Sequence, residues 1–153
     1  MSSVALSSSA SSPEPMASRA FSWGRFASVG LGTVVAAVLA NLVVYLIGSV
    51  VVGYDPQFVV LANASGTILF TVVPAIVAVL LYAVLTRFSG NPARIFSNIA
   101  GVVLIVSLIP DLTYIPSVPG ATSGQTAILM LMHVVAAVVI VSILTTQTRS
   151  PRA

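Results

Sequence analysis

The chain has 153 residues, of which 58% are hydrophobic and 6% are charged, and its mean hydropathy is +1.10. A soluble domain is about 25% charged because its surface meets water, so this composition excludes a water-soluble globule. The sequence holds no cysteine, one histidine and three carboxylates, which excludes disulfides and iron–sulfur clusters. We expect no metal and no cofactor, and we expect lipid to be the solvent.

In chain order, residues 1–24 are rich in Ser, Ala and Pro and predict a disordered tail. Four apolar segments follow and predict membrane spans over residues 26–52, 65–87, 94–112 and 126–145, with a short tail over 148–153. Pro74 is expected to kink the second span, and Pro110 is expected to stop the third. The predicted fold class is all-α, an integral membrane four-helix transmembrane bundle over residues 25–147.

The basic residues predict the orientation of the bundle. The loops 53–64 and 110–125 contain no basic residue and hold Asp55 and Asp111 instead. The positive-inside rule then places both termini in the cytoplasm and the protein in a bacterial plasma membrane. This placement explains the pI near 10 without nucleic acid, which we exclude as a partner. The basic residues that would share the cytoplasmic side are Arg19, Arg25, Arg87, Arg94, Arg149 and Arg152.

Each predicted span has a small or polar face opposite a bulky aliphatic face when its residues are placed at 100° per residue. Small residues allow helices to approach closely in lipid, and polar side chains need partners there. The pattern therefore predicts a compact bundle, although some of these faces could instead meet a second copy of the chain. The residues predicted to face inward are Gly30, Ala37, Asn41 and Gly48; Thr67, Thr71, Pro74, Ala78 and Tyr82; Ser97, Gly101 and Asp111; Thr126, His133, Ala136 and Ala137.

His133 and Asn41 are the most conspicuous polar residues of the predicted spans. An ionisable group inside a membrane is a functional hypothesis by default, so His133 could carry a proton or contact a ligand. It could equally be a neutral imidazole that joins two helices by a hydrogen bond. Asn41 lies at a similar depth and either joins helices in the same way or forms part of a polar site with His133.

Asp111 and Asp55 each neighbour a proline at a predicted helix boundary, which is typical of a turn. They could instead form the rim of an outward-facing pocket or a weak cation site. The one catalytic arrangement that the sequence allows is Ser107 or Asp111 near His133, and nothing in the spacing supports it, so we predict no enzyme. A proton-coupled exporter needs a carboxylate inside a span, and the pattern places none there.

Several short segments resemble a family of small actinobacterial membrane proteins catalogued as domain of unknown function 6069. They are Asn41, the block from Arg87 to Phe96, Ser107 to Pro110, and Leu131 to Ala137. The resemblance covers roughly residues 26–147. It implies a four-helix integral membrane protein and assigns no activity. It also marks Asn41 and His133 as positions that match the family pattern, without giving them a role.

Two functional hypotheses remain open from the sequence. The first is a structural or accessory protein of the cell envelope without catalytic machinery. The second is a small transporter or ligand-binding membrane protein with an outward-facing pocket near His133, Asn41 and Asp111, with Ser107 as a further candidate. The expected partner is the lipid bilayer, and a membrane protein or a second copy of the chain is left open.

Overall fold

The computed structural model describes residues 23–147, which form four long helices and two short helical turns. The helices are α1 (Trp23–Val51), α2 (Val59–Ala62), α3 (Ala64–Phe88), α4 (Pro92–Thr113) and α5 (Ser123–Gln147), with a 3-10 turn at Ile115–Ser117. All regular structure in this part of the chain is helical, which confirms the all-α prediction. Trp23 and Gly24 begin α1, whereas the remainder of the predicted tails, with Arg19, Arg149 and Arg152, lies outside the described residues.

The helices α1, α3, α4 and α5 are each long and apolar enough to cross a membrane. At 1.5 Å per residue, the 25 residues of α3 span about 37 Å, which exceeds a hydrocarbon core of about 30 Å. Because consecutive long helices alternate in direction, the bundle has two ends. We call the end with Arg25, Arg87 and Arg94 the arginine end, and the end with residues 52–63 and 114–122 the loop end.

The prediction that Pro110 stops the third span is wrong, because α4 continues through Pro110 to Thr113. A proline inside a helix removes only its own N–H donor, and helices in lipid tolerate this loss. The next turn still closes, since the Tyr114 N–H donates to the Pro110 carbonyl oxygen at 2.9 Å. Asp111 therefore lies in the last turn of a membrane helix with 5% of its surface exposed, and its interpretation as a turn residue in a loop is wrong.

α1 packs mainly against α5 and α3, and its predicted inward stripe is buried. Gly30 marks the closest approach, because a Cβ atom there would lie 2.7 Å from Cγ1 of Val79 on α3. On α3 the prediction holds for Thr67, Thr71 and Tyr82, which are buried, and fails for Pro74, which is exposed.

The predicted inward face of α4 is wrong for Ser97 and Gly101, which are both exposed. α4 turns Phe96 inward instead, and the ring of Phe96 meets the ring of Tyr82 edge to face, with centroids 5.0 Å apart and planes at 71°. Such a pair buries much more apolar area than a serine and a glycine would. The prediction placed the small residues of α4 inside the bundle, and so its predicted inward face is rotated away from the observed one.

The loop end is closed by a cluster of apolar side chains from α2, α5 and the connecting segments. Phe58 and Leu61 are fully buried there and pack with Ile115, Leu129 and Met132. The Asp55 carboxylate accepts a hydrogen bond from the Gln57 N–H at 2.8 Å, which confirms the turn interpretation for that aspartate.

Tyr54 fixes this cap to α1. Its hydroxyl donates to the Tyr45 carbonyl oxygen at 2.9 Å, and the ring centroids of the two tyrosines are 5.0 Å apart. Gly48 makes this placement possible, because a Cβ atom there would collide with the Tyr54 hydroxyl oxygen. Burial, with a smaller contribution from Tyr45, raises the pKa of the Tyr54 hydroxyl above its usual value.

Candidate functional site

A cavity of about 520 Å³ lies between α3, α4 and α5, with α1 as its back wall. Its walls are almost entirely apolar. Three lining residues of α3, Phe70, Val73 and Val77, and one of α4, Val103, keep more than half of their surface exposed. These exposed lining residues place the opening of the cavity at the side of the bundle, between α3 and α4.

A buried side chain lines each end of the cavity. Leu61, which is fully buried in the loop-end cap, also lines the cavity and covers it from that side. Phe96 lines the opposite end, where its contact with Tyr82 holds α4 against α3. Three residues, 89–91, connect α3 to α4 and keep these helix ends together. The sequence predicted an outward-facing pocket, and the exposed lining residues of this cavity lie along the side of the bundle.

The few polar residues of the cavity lie in the half nearer the loop end. By helical rise, Thr67 is about 5 Å and Thr71 about 10 Å from the loop end of α3, and Ser107 is about 9 Å from that end of α4. Asn41 and His133 share a level about 15 Å from the loop ends of α1 and α5. The remaining lining, toward the arginine end, consists of apolar side chains.

His133 is held through its Nδ1 atom. This nitrogen lies 2.9 Å from the Leu129 carbonyl oxygen, one turn earlier on α5, and 3.0 Å from Oδ2 of Asp111 on α4. The Asp111 side chain is 7% exposed, whereas 39% of the His133 side chain is exposed, and His133 lines the cavity. Asp111, which does not line the cavity, therefore holds the imidazole from its buried side, and Nδ1 is the ring nitrogen that these contacts occupy.

Asn41 joins α1 to α3 beside the same cavity. Its Nδ2 donates to Oγ1 of Thr71 at 2.9 Å, and the Thr71 hydroxyl donates to the Thr67 carbonyl oxygen at 2.7 Å. Both side chains are buried and both line the cavity. This is the interhelical hydrogen bond that the sequence suggested for Asn41, with a donated amide proton and a threonine as the partner.

In the described part of the chain, the buried oxygen atoms Asn41 Oδ1 and Thr67 Oγ1 have no hydrogen-bond partner, and a third, Asp111 Oδ2, has only its 3.0 Å contact with His133 Nδ1. Native structures leave few such atoms, because an unpaired buried polar group costs about 1–3 kcal/mol. All three belong to the polar half of the bundle, in or directly behind the cavity wall. Unpaired acceptors at a cavity are what a ligand with hydrogen-bond donors would satisfy.

Of the four candidate residues from the sequence, His133, Asn41 and Ser107 line the cavity, and Asp111 contacts His133 from behind. The Ser107 hydroxyl donates to the Leu104 carbonyl oxygen at 2.8 Å and is therefore committed to its own helix. The expectation that no span carries a carboxylate is wrong, because Asp111 lies within α4. Within residues 23–147, no three His, Asp or Glu side chains are grouped to hold a metal ion.

Sequence reasoning missed two contributors to the site. Thr67 was placed on a packing face, and its unpaired hydroxyl could not be foreseen without the positions of its neighbours. Leu61 belongs to the single-turn helix α2, which is too short for a periodic pattern to reveal.

These features are those of an α-helical membrane protein that has four helices able to span a bilayer and a cavity between three of them. The chain belongs to a family of unknown function, DUF6069, whose model matches residues 21–150. The family resemblance inferred from the sequence is thereby confirmed. Searches of curated proteins and of solved structures gave no match to this chain.

The contact between Asp111 and His133 can be tested by a double-mutant cycle. We expect Asp111→Ala and His133→Ala to be coupled by about 1 kcal/mol in the free energy of unfolding, as for polar pairs between membrane helices. The measurement is reversible unfolding in bicelles. The control pairs His133→Ala with Thr113→Ala, whose exposed hydroxyl donates within α4 to Ile109, and should give a coupling near zero. Equal coupling in both cycles would contradict the assignment.

Proposed function

We propose that this protein is a non-catalytic membrane protein that binds an apolar small molecule drawn laterally from the bilayer. The observation that carries the proposal is the cavity of about 520 Å³ between α3, α4 and α5, which is mostly apolar and has exposed lining residues on α3 and α4. Ligand sites of proteins are typically concave, mostly apolar and furnished with a few convergent polar groups, and this cavity has that character.

One observation favours binding over catalysis. The hydroxyl of Ser107 donates to its own helix, so no serine nucleophile is directed at His133. The His133 ring is oriented by Asp111 and Leu129, which fits a fixed recognition group as well as it would fit a general base. This proposal keeps the ligand-binding hypothesis from the sequence and places the opening at the lipid side. An envelope role as an accessory protein is compatible with it.

A variant that fills the cavity tests this function. Ala137 lines the cavity, whereas its neighbour Val138 is 57% exposed and does not line it. We expect the full chain in nanodiscs to retain one molecule of 4-nonylphenol, observed by native mass spectrometry after release from the nanodisc. Ala137→Phe should reduce the retained fraction at least fivefold because the added ring occupies the cavity. Val138→Phe should leave it unchanged.

If both variants retain the probe equally, or if the native chain retains none, the proposed function is wrong. Two phenylalanine substitutions at adjacent positions alter hydrophobicity by similar amounts, so a difference between them reports the cavity rather than general partitioning.

We further propose that the protein lies in a bacterial plasma membrane with the arginine end in the cytoplasm. Arg25, Arg87 and Arg94 lie at that end, and the described loops at the other end contain Asp55 and no basic residue. Arginine near the ends of membrane helices favours the cytoplasmic side.

Single cysteines test the orientation without background, since the chain has none. Gly90 and Ser117 are exposed at opposite ends of the bundle, and a Cβ atom at Gly90 meets no neighbour. We expect a membrane-impermeant maleimide to label Ser117→Cys in spheroplasts and to label Gly90→Cys only after lysis. Labelling of Gly90→Cys before lysis would reverse the orientation.

A further inference from the structure

We propose that the ligand of the cavity is a neutral amphiphile that carries a hydroxyl group, such as a lipid-soluble phenol or long-chain alcohol, and that His133 Nε2 accepts its hydroxyl proton. This inference rests on the proposed function and specifies its ligand class. It follows from which hydrogen-bond donors and acceptors of the cavity lining already have a partner.

The imidazole of His133 carries its hydrogen atom on Nδ1. The carbonyl oxygen of Leu129 lies 2.9 Å from Nδ1 and cannot donate, so Nδ1 must carry the hydrogen atom. In the neutral ring the other nitrogen, Nε2, is then an acceptor. We take the ring as neutral, because an imidazolium–carboxylate pair with Asp111 would require two charges to leave water. His133, which lines the cavity, therefore has Nε2 as its free acceptor.

The side-chain amide of Asn41 provides a second free acceptor. The Thr71 hydroxyl hydrogen is donated to the Thr67 carbonyl oxygen, so Thr71 Oγ1 can only accept from Asn41. Asn41 must therefore turn its Nδ2 to Thr71, and its Oδ1 is left as a second acceptor. Asn41 is only 4% exposed and lines the cavity, so this oxygen cannot be satisfied by bulk water.

A third acceptor follows from Pro74. Proline has no N–H, so the carbonyl oxygen of Phe70, four residues earlier, loses its helical donor. Phe70 and Pro74 both line the cavity. Thr67, whose hydroxyl has no partner, can both donate and accept and so does not alter the balance. The polar half of the cavity thus offers more acceptors than donors, and it selects a ligand that donates.

The charge and the depth of the site argue against an anionic headgroup. No arginine is among the described residues that line the cavity, and Arg25, Arg87 and Arg94 lie at the far end of the bundle. The His133 level lies about 15 Å from the loop end of α5, well inside a hydrocarbon core of about 30 Å. A phosphate at this depth would have no counter-charge, whereas a hydroxyl meets acceptors and its apolar tail extends along the apolar half.

The test compares two probes that differ only in the donor, 4-nonylphenol and 4-nonylanisole. In native mass spectrometry of the full chain released from nanodiscs, we expect the phenol to be retained at least fivefold more strongly, the effect of one net hydrogen bond. Ala137→Phe should reduce the retention of both probes. His133→Phe should bring the retention of the two probes within twofold, because it keeps an aromatic ring and removes the acceptor.

Ser107→Ala is the matched control. Ser107 also lines the cavity, but its hydroxyl is committed to Leu104, so this variant should keep the preference for the phenol. If both probes are retained equally by the native chain and both are displaced by Ala137→Phe, the ligand class is wrong and the cavity function stands. If Ala137→Phe changes the retention of neither probe, the proposed function itself is wrong.

Retention of the phenol preference in His133→Phe would exclude His133 as the acceptor. Should that variant not insert, the ratio of the two probes on the native chain still decides whether the ligand must be a donor.

Discussion

The constraint on which this structure depends is that lipid offers no hydrogen bonds. Every polar side chain inside the bundle must find its partner in another part of the chain or remain unpaired at a cost. Asn41 meets this constraint by donating to Thr71 across α1 and α3, and His133 meets it through Leu129 and Asp111 across α5 and α4. The acceptors that stay unpaired after these contacts are the ones that give the cavity its chemical character.

The cavity itself follows from how α3 and α4 are held. Their ends are joined by the short connection 89–91 and by the contact of Tyr82 with Phe96 at the arginine end. At the loop end α4 packs on α5, while α2 and the cap residues Phe58 and Leu61 occupy the space beside α3. Little side-chain bulk is left to fill the middle of the gap between α3 and α4. Small lining residues such as Ala100 and Ala137 leave that space open.

The sequence predicted the four helices and the inward stripe of α1 because hydropathy and a period of 3.6 residues act within one element. It failed where two elements compete for the same space. Phe96 displaced Ser97 and Gly101 from the interior of α4 because an aromatic contact with Tyr82 buries more apolar surface. Pro110 did not end α4, because a single missing donor is tolerated inside a bundle in lipid, and this moved Asp111 from a predicted turn into the helix.

The candidate site was partly predictable for the same reason. His133 and Asn41 stand out in the sequence because polar side chains are rare in apolar spans. Their cavity was not predictable, since it depends on the spacing of α3 and α4 and on the cap that α2 forms. The position of the opening at the side of the bundle and the surplus of acceptors also depend on contacts between distant residues, which no local pattern records.

The role of His133 as an acceptor for the ligand depends on the position of one hydrogen atom. The chain contains a single histidine, so the ¹⁵N resonances of the imidazole in selectively labelled, tag-free protein in nanodiscs belong to His133 alone. We expect Nδ1 to be protonated and Nε2 to be bare, and we expect the Nε2 resonance to change when 4-nonylphenol is added but not with 4-nonylanisole. An imidazolium ion, or a neutral ring protonated at Nε2, would contradict this role.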